Sequence, residues 1–291
     1  MKPFFSQARL TPYLFLSPFL IIFCVFLAYP LYESAILAFS QTYGPSHRIW
    51  VGFANFKNMA ADPDFWIALK NTFIYTLASV TIQLPLALIL ALILNQPGLK
   101  GRAIFRLIFF LPSLVGLVFV AMMFSLMLGD RDGLVNVMLR GVIPGFPQEF
   151  PWLQNYVMPS LILASLWMYV GFNMVYFLAA LQSVNQDAID AANIDGANAF
   201  QRFFYVTLPE IRPVLGFVVL LSVIGSLQLF ELPFVLLGGP GPERSGLTLV
   251  MYLYQNGFER SDLGFASAIG WTLAILLMGL ALIQRRLSRN E

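Results

Sequence analysis

Six long apolar runs constrain this chain more than any other feature of its sequence. Each run is long enough to cross about 30 Å of hydrocarbon as an α-helix. Charged residues make up only 11% of the chain, less than half of the roughly 25% that is usual in soluble domains. Alternating strands of the barrel type are missing, so we predict an all-α integral membrane protein. The six predicted spans are Tyr13–Phe39, Trp66–Leu94, Ile104–Leu128, Val157–Leu181, Val214–Leu237 and Phe265–Ile283.

Lysine and arginine orient the predicted bundle, because loops on the cytoplasmic side are enriched in them. If both termini lie on one side, that side holds most of the 17 basic residues in its short loops. These residues are Lys2, Arg9, Lys100, Arg102, Arg106, Arg202, Arg212, Arg285, Arg286 and Arg289. We therefore expect both termini in the cytoplasm and a multi-pass protein of a bacterial or archaeal cytoplasmic membrane. The first run is longer than a signal peptide and lacks a small-residue cleavage site, which favours an uncleaved span.

Several site classes are disfavoured by the composition. The lone Cys24 and the lone His47 leave no disulfide framework, metal site or catalytic triad. Asp130 and Asp132 lack the spacing of a calcium loop, so a solvated loop is favoured there. The basic residues flank the spans, which gives no patch for nucleic acid. No phosphate-binding Gly-rich loop with its lysine occurs, so we expect no cofactor in this chain and ATP hydrolysis, if used, in another subunit.

A polar segment at 184–212 separates two apolar runs and must lie outside the bilayer. Asn185 is a good N-cap, and Asp187 favours the helix dipole in the first turn. Ala191 and Ala192 give this helix high propensity with little bulk, which allows another protein to approach closely.

We expect the segment to continue with a left-handed bend at Gly196 and a second helix capped by Asn198. Leu208-Pro209 is predicted to end that helix before the fifth span. An alternative is an amphipathic loop lying on the lipid headgroups. Aspartates at 187, 190 and 195 disfavour it, because anionic lipid would repel them.

The spacing of this segment resembles the "EAA" loop of binding-protein-dependent ABC importers. The departures are Asp190 where the family has glutamate and Asn185 where it usually has proline. The resemblance implies that residues 184–212, here named the coupling loop, dock in a cleft of an ATPase subunit. The implied coupling residues are Asp190, Ala191, Ala192, Asp195, Gly196, Leu208 and Pro209.

Further segments resemble the maltose-type first permease subunit. They are the Gly52-Phe-Ala-Asn55-Phe56 stretch, Leu69-Lys70-Asn71-Thr72, Gly238-Gly239-Pro240, and Met251 to Phe258 with its tyrosine pair. The resemblance covers about 69–283. We expect a first helix and outer loop at 1–68, an ABC transmembrane type-1 domain at 69–284, and a cytoplasmic tail at 285–291.

Two predicted helix faces are candidates for a substrate path. The fourth span places Tyr169, Phe172 and Asn173 on one face, and the fifth places Ser222 and Ser226 on another. Aromatic faces pack on sugar C–H groups, and Asn and Ser bind hydroxyls. Small residues also mediate helix packing, and tyrosine also forms membrane belts, so both readings stay open.

Glu231 is a further candidate, because an intramembrane carboxylate is a functional candidate by default. It lies three residues from Gln228, next to the outer loop that follows Pro233. Proton coupling is disfavoured there, because no second carboxylate or histidine is placed to relay a proton.

Taken together, the resemblance implies a non-catalytic permease subunit that imports a carbohydrate: a mono- or oligosaccharide, or a glycerol-phosphate-like polyol. The implied partners are a second homologous permease, two ATPase subunits that bind ATP and magnesium, and an extracytoplasmic solute-binding protein. The alternative is an ion-coupled secondary transporter. That class should show broken helices, internal repeats and a buried ionisable pair, and the sequence predicts none of them.

Overall fold

The computed structural model describes residues 7–43, 47–96 and 98–289; Lys2 and the last two residues of the predicted tail lie outside that range. The helices are α1 (Gln7–Phe23), α2 (Tyr29–Ala38), α3 (Ala54–Ala61), α4 (Pro63–Ala78), α5 (Leu84–Asn95), α6 (Arg102–Phe110), α7 (Leu117–Met127), α8 (Leu134–Val142), α9 (Trp152–Asn155), α10 (Val157–Gln182), α11 (Gln186–Ile194), α12 (Ala199–Arg202), α13 (Leu208–Leu227), α14 (Glu231–Leu237), α15 (Leu249–Tyr254) and α16 (Leu263–Arg289). Two short strands, β1 (Ser40–Tyr43) and β2 (His47–Trp50), form an antiparallel hairpin.

Four of the predicted spans are confirmed with ends within three residues. Within the described part of the chain, five helices are long and apolar enough to cross a membrane, or six if one bent pair counts as a span. The four confirmed spans are Pro12–Ala38, Pro63–Asn95, Val157–Gln182 and Leu263–Gln284. The chain is thus a multi-pass membrane protein with a helical fold.

The third predicted span, Ile104–Leu128, is wrong as a straight helix. The chain forms one helical segment over Arg102–Leu114, bends by 97° and continues as α7. Pro112 interrupts the helix because its ring clashes with the preceding turn and it has no N–H to donate. Gly116, with φ −61° and ψ 138°, is extended just before α7. The expectation of unbroken helices is therefore corrected here.

The fifth predicted span, Val214–Leu237, is wrong at both ends. The observed helix runs over Ala199–Leu227, and α14 is a separate short helix. Pro233 explains the break, because in a continuous helix its ring would clash with the carbonyl of Leu229, four residues earlier. That freed carbonyl instead accepts a 2.6 Å hydrogen bond from the hydroxyl of Thr248.

Three spans accommodate a proline in the same way, by a five-residue π turn that ends two residues before it. The pairs are Cys24–Ala28 with Pro30, Ser79–Gln83 with Pro85, and Phe203–Thr207 with Pro209. In each case the residue before the proline donates its N–H to the carbonyl five residues back. The wider turn makes room where the proline has no N–H. Leu208-Pro209 therefore does not end the helix, and that expectation is wrong.

The chain divides into two compact units. One is Met1–Asp62 with Leu253–Thr272, and the other is Pro63–Tyr252 with Leu273–Glu291. In the first unit, the Asn55 amide donates to the carbonyls of Ala38 and Ser40 at 3.0 and 2.9 Å. Phe56 packs on Phe39 with ring centroids 5.4 Å apart. The segment from Gly52 to Phe56 is thus explained by its structural contacts around the hairpin.

In the second unit α10 is the central helix. Its first half packs with α7 and α14 in one apolar cluster, and its second half packs with α5 and α13 in another. It also crosses α6 closely, since a Cβ at Gly171 would lie 1.7 Å from the carbonyl oxygen of Phe109. Only glycine fits such a helix crossing.

The start of the second span is tied to the segment before α15. The Asn71 amide donates to the carbonyls of Arg244 and Leu247, both at 3.0 Å. The buried Thr72 hydroxyl accepts the N–H of Leu249 at 3.0 Å. These bonds give a structural reason for the Asn-Thr pair, which lies about two helical turns inside the observed span and does not open it.

Candidate functional site: a cytosolic loop and an intramembrane cavity

The first helix of the coupling loop starts where the sequence predicts. The Asn185 side chain accepts the backbone N–H of Asp187 at 2.9 Å, which caps α11. The Asn185 N–H in turn donates to a carboxylate oxygen of Glu210 at 2.8 Å. Because Glu210 lies in the first turn of α13, this bond ties the start of the loop to the base of the fifth span.

The left-handed bend at Gly196 is confirmed. Gly196 has φ +81°, and the Ala197 N–H donates to the carbonyl of Ala192 at 2.9 Å. The Gly196 N–H donates to the backbone carbonyl of Asn193 at 3.1 Å. The two bonds end α11 in a Schellman motif. A Cβ at Gly196 would meet nothing within 4 Å. Within this chain, glycine is therefore needed for its backbone angle and not for space.

The second helix of the loop is capped reciprocally. The Asn198 side chain accepts the Gln201 N–H, and the Gln201 side chain accepts the Asn198 N–H, both at 2.9 Å. Such a capping box satisfies two donors that the helix leaves free. The helix then runs without interruption through Leu208, which packs on the apolar cluster around α5 and α13. The second helix of the loop and the fifth span thus form one continuous helix.

The loop exposes apolar side chains between acidic ones. Ile194 is 87% exposed, Tyr205 80% and Phe200 71%. The exposed carboxylates are Asp187, Asp190, Asp195 and Glu210. Ala191 is exposed and Ala192 half-buried. Large exposed apolar groups indicate an interaction surface, and the acidic residues suit a protein surface better than anionic lipid.

A cavity of about 170 Å³ lies between the second, fourth and fifth spans, inside the second unit. The structure brings all five candidate path residues to it. They are Tyr169, Phe172, Asn173, Ser222 and Ser226. Their placement around one cavity agrees with the predicted faces, while their role in transport stays a prediction.

The second span supplies a third wall that the sequence reading missed. Tyr75, Ser79 and Gln83 line the same cavity. They stand four residues apart on one helical face, in a run that also contains Lys70, Asn71 and three threonines, and that spacing was the available signal. Hydropathy does not detect this spacing, because it classifies the run as a span from its mean apolarity and takes no account of the face that the polar residues share.

The polar groups of the cavity are partly paired. The hydroxyls of Ser79 and Ser222 are 2.7 Å apart and bridge the second and fifth spans. Gln83 is 4% exposed and Asn173 7%. Their side-chain amides form no hydrogen bond with another described residue, and their polar atoms are not among the buried unpaired ones, so they stay accessible from the cavity. Because each amide offers donors and an acceptor, two amides lining one cavity favour a polar ligand there.

Glu231 lies at the edge of this cavity. It begins α14 two residues after the lining residue Leu229. It is exposed. The break after Leu227 therefore places Glu231 outside the helix of the fifth span, although the predicted span Val214–Leu237 included it.

Comparison with known proteins identifies the family. Residues 83–290 match the model of the binding-protein-dependent transport system inner membrane component. The chain is 37% identical to the arabinooligosaccharides transport system permease protein AraP of Halalkalibacterium halodurans, over 97% of this chain and 88% of the relative. It is 34% identical to the lactose transport system permease protein LacF of Rhizobium radiobacter, over 96% of this chain and 94% of the relative.

The fold agrees with the same assignment. The chain superposes on a subunit of a bacterial ABC transporter involved in import of the acidic polysaccharide alginate with a TM-score of 0.86 and 27% identity. The match covers 98% of this chain and 96% of that subunit. The expectation of a permease subunit that is not itself an enzyme is confirmed by these relatives. The chain therefore belongs to the family of binding-protein-dependent transport system inner membrane components.

Proposed function

We propose that this chain is the membrane permease subunit of an ATP-driven importer for a carbohydrate. The observation that carries the proposal is the cavity, in which three spans converge with hydroxyl, amide and aromatic side chains. Neutral hydrogen-bonding groups beside aromatic rings suit the hydroxyls and C–H faces of a sugar. The names of AraP and LacF, which are transport permeases for arabinooligosaccharides and lactose, support a mono- or oligosaccharide.

The coupling loop supplies the proposed link to ATP. Its exposed apolar and acidic residues form a surface for a protein partner, and the family name implies a binding protein. The proposed assembly contains this chain, a second homologous permease, two ATPase subunits and an extracytoplasmic solute-binding protein. ATP and magnesium are held by the ATPase subunits, and the complex sits in the cytoplasmic membrane of a bacterium or archaeon with the loop inside.

Movement of the loop reaches the cavity through one helix. The Ala199–Leu227 helix begins in the loop and carries Ser222 and Ser226 at the cavity. The bond between Asn185 and Glu210 holds the other arm of the loop to the same helix. Closure of the ATPase pair would therefore shift one wall of the cavity relative to the others and turn it from inward-facing to outward-facing.

The test is sugar uptake by the complete complex in proteoliposomes. Uptake should require ATP and should persist when ionophores remove the ion gradients. Asn173→Ala and Ser226→Val should each weaken apparent affinity about two- to twelve-fold, because a hydrogen bond to a neutral hydroxyl contributes about 0.5–1.5 kcal/mol. Asn155→Ala, in an exposed outer position, is the matched control and should have no effect.

Two results would contradict the proposal. Uptake that collapses with ionophores and ignores ATP would favour the ion-coupled secondary transporter. Normal uptake by both cavity variants, together with a lower melting temperature of the complex, would make Asn173 and Ser226 packing residues.

A further inference from the structure

The second span carries a group that the proposed function leaves without a role. Gln83 is the last residue of the π turn Ser79–Gln83. Its side chain lines the cavity and is 4% exposed, and it has no hydrogen-bond partner among the described residues. A residue that serves packing alone would not need an amide here, since leucine has nearly the same volume and no polar atoms to satisfy.

The position of Gln83 is set by the backbone. π turns are rare and often occur at functional sites, and Pro85, two residues after the end of this one, prevents a regular helical turn. Asn173 on the fourth span presents a second amide to the same cavity. Each amide offers one acceptor and two donors, which matches neighbouring hydroxyls of a sugar ring that both donate and accept.

The negative charge of Glu231, beside the cavity, acts on anionic ligands and not on neutral hydroxyls. Glu231 is the first residue of α14 and follows the lining residue Leu229 by two positions. A carboxylate at that edge repels an approaching uronate or sulfonate, because like charges repel. The amides attract hydroxyls, and the carboxylate disfavours anions.

We propose that Gln83 is a substrate-contacting, specificity-determining residue: together with Asn173 it selects uncharged sugars, and Glu231 disfavours acidic ones. This inference rests on the proposed function and extends it by naming the substrate class. The proposed preference for uncharged sugars also distinguishes this chain from its structural neighbour, whose transporter is described as importing the acidic polysaccharide alginate.

The experiment measures equilibrium binding of sugars to the purified permease–ATPase complex without the binding protein, so that the selectivity of the binding protein does not enter. The probes are arabinotriose, lactose and maltotriose as neutral sugars and trigalacturonate as the acidic one. Wild-type complex should prefer at least one neutral sugar. Gln83→Leu should weaken its binding roughly two- to twelve-fold, while the exposed Gln148→Leu leaves it unchanged. Glu231→Gln should raise trigalacturonate binding, relative to the neutral sugar, by about three- to tenfold.

The outcomes separate the two proposals. If the wild-type complex binds none of the sugars, the proposed function fails. If it binds a neutral sugar but Gln83→Leu lowers only the melting temperature, Gln83 is a packing residue and the inference is overturned. If trigalacturonate binds better than the neutral sugars in the wild-type complex, or Glu231→Gln leaves the ratio unchanged, the proposed selectivity is overturned.

Discussion

The bend at Gly196 allows a graded test of the coupling loop. Its φ of +81° lies in the left-handed region, and a Cβ there would have open space for 4 Å. Replacement by alanine therefore adds backbone strain without a clash inside this chain. That strain is about 1–2 kcal/mol, which shifts the equilibrium between bent and other loop conformations by a factor of about 5–30. Valine should cost more because it is β-branched, and asparagine less because it tolerates positive φ.

The assay is the ATPase activity of the purified complex with and without loaded binding protein. Stimulation should fall in the order Gly, Asn, Ala, Val, and Gly196→Val should insert normally yet abolish both stimulation and transport. Gly279→Ala is the matched control, because its Cβ also meets nothing within 4 Å and its φ is not positive.

Two outcomes would refute the strain argument. Wild-type stimulation in Gly196→Val would show that the bend is not needed for coupling. Equal loss in Gly196→Asn and Gly196→Val would show that a partner surface occupies the Cβ position, so that close approach and not the backbone angle makes glycine necessary.

Three further predictions follow from contacts in the second unit and from the predicted topology. Gly171→Ala should lower the melting temperature of the complex through overpacking of about 1–3 kcal/mol, whereas Gly279→Ala should not; equal melting curves would contradict the close crossing of α6 and α10. Thr72→Val leaves the buried N–H of Leu249 unpaired and should destabilise by about 1–3 kcal/mol, whereas serine at that position should restore most of the loss; a serine variant as unstable as valine would count against the bond. With the native cysteine removed, a cysteine at Gln201 should react with an impermeant thiol reagent only in inside-out vesicles, and one at Asp132 only from outside; the reverse pattern would overturn the orientation.

Local rules predicted the caps and the bend of the coupling loop, but not the continuation of its second helix through Leu208-Pro209. Asn185, Gly196 and Asn198 cap or bend it as expected, because capping depends on the few neighbouring residues that a sequence displays directly. Hydropathy located four spans closely for a similar reason, since a bilayer sets their length. It failed at Pro112 and Pro233, where a helix break leaves the mean apolarity of the run unchanged.

The cavity could be predicted only in part. Two of its walls were proposed from side chains sharing a helical face, but Gln83 was not among them. Nor could the sequence show that Thr248, nineteen residues after Leu229, caps the carbonyl freed by Pro233. That pairing depends on how the segment after α14 folds back, which no local pattern encodes.

The π turn in the second span also determines which direction its side chains face. Eight residues of regular α-helix rotate through about 800°, so the eighth side chain ends about 80° away from the first. A π turn takes up one additional residue, so Tyr75 and Gln83 are separated by the rotation of about seven residues, roughly 20° short of two full turns. Both side chains therefore point at the same cavity. One residue inserted into the regular helix between Tyr75 and the π turn would rotate Gln83 away from the face of Tyr75 by about 100°, whereas loss of one residue within the π turn would leave the two faces aligned.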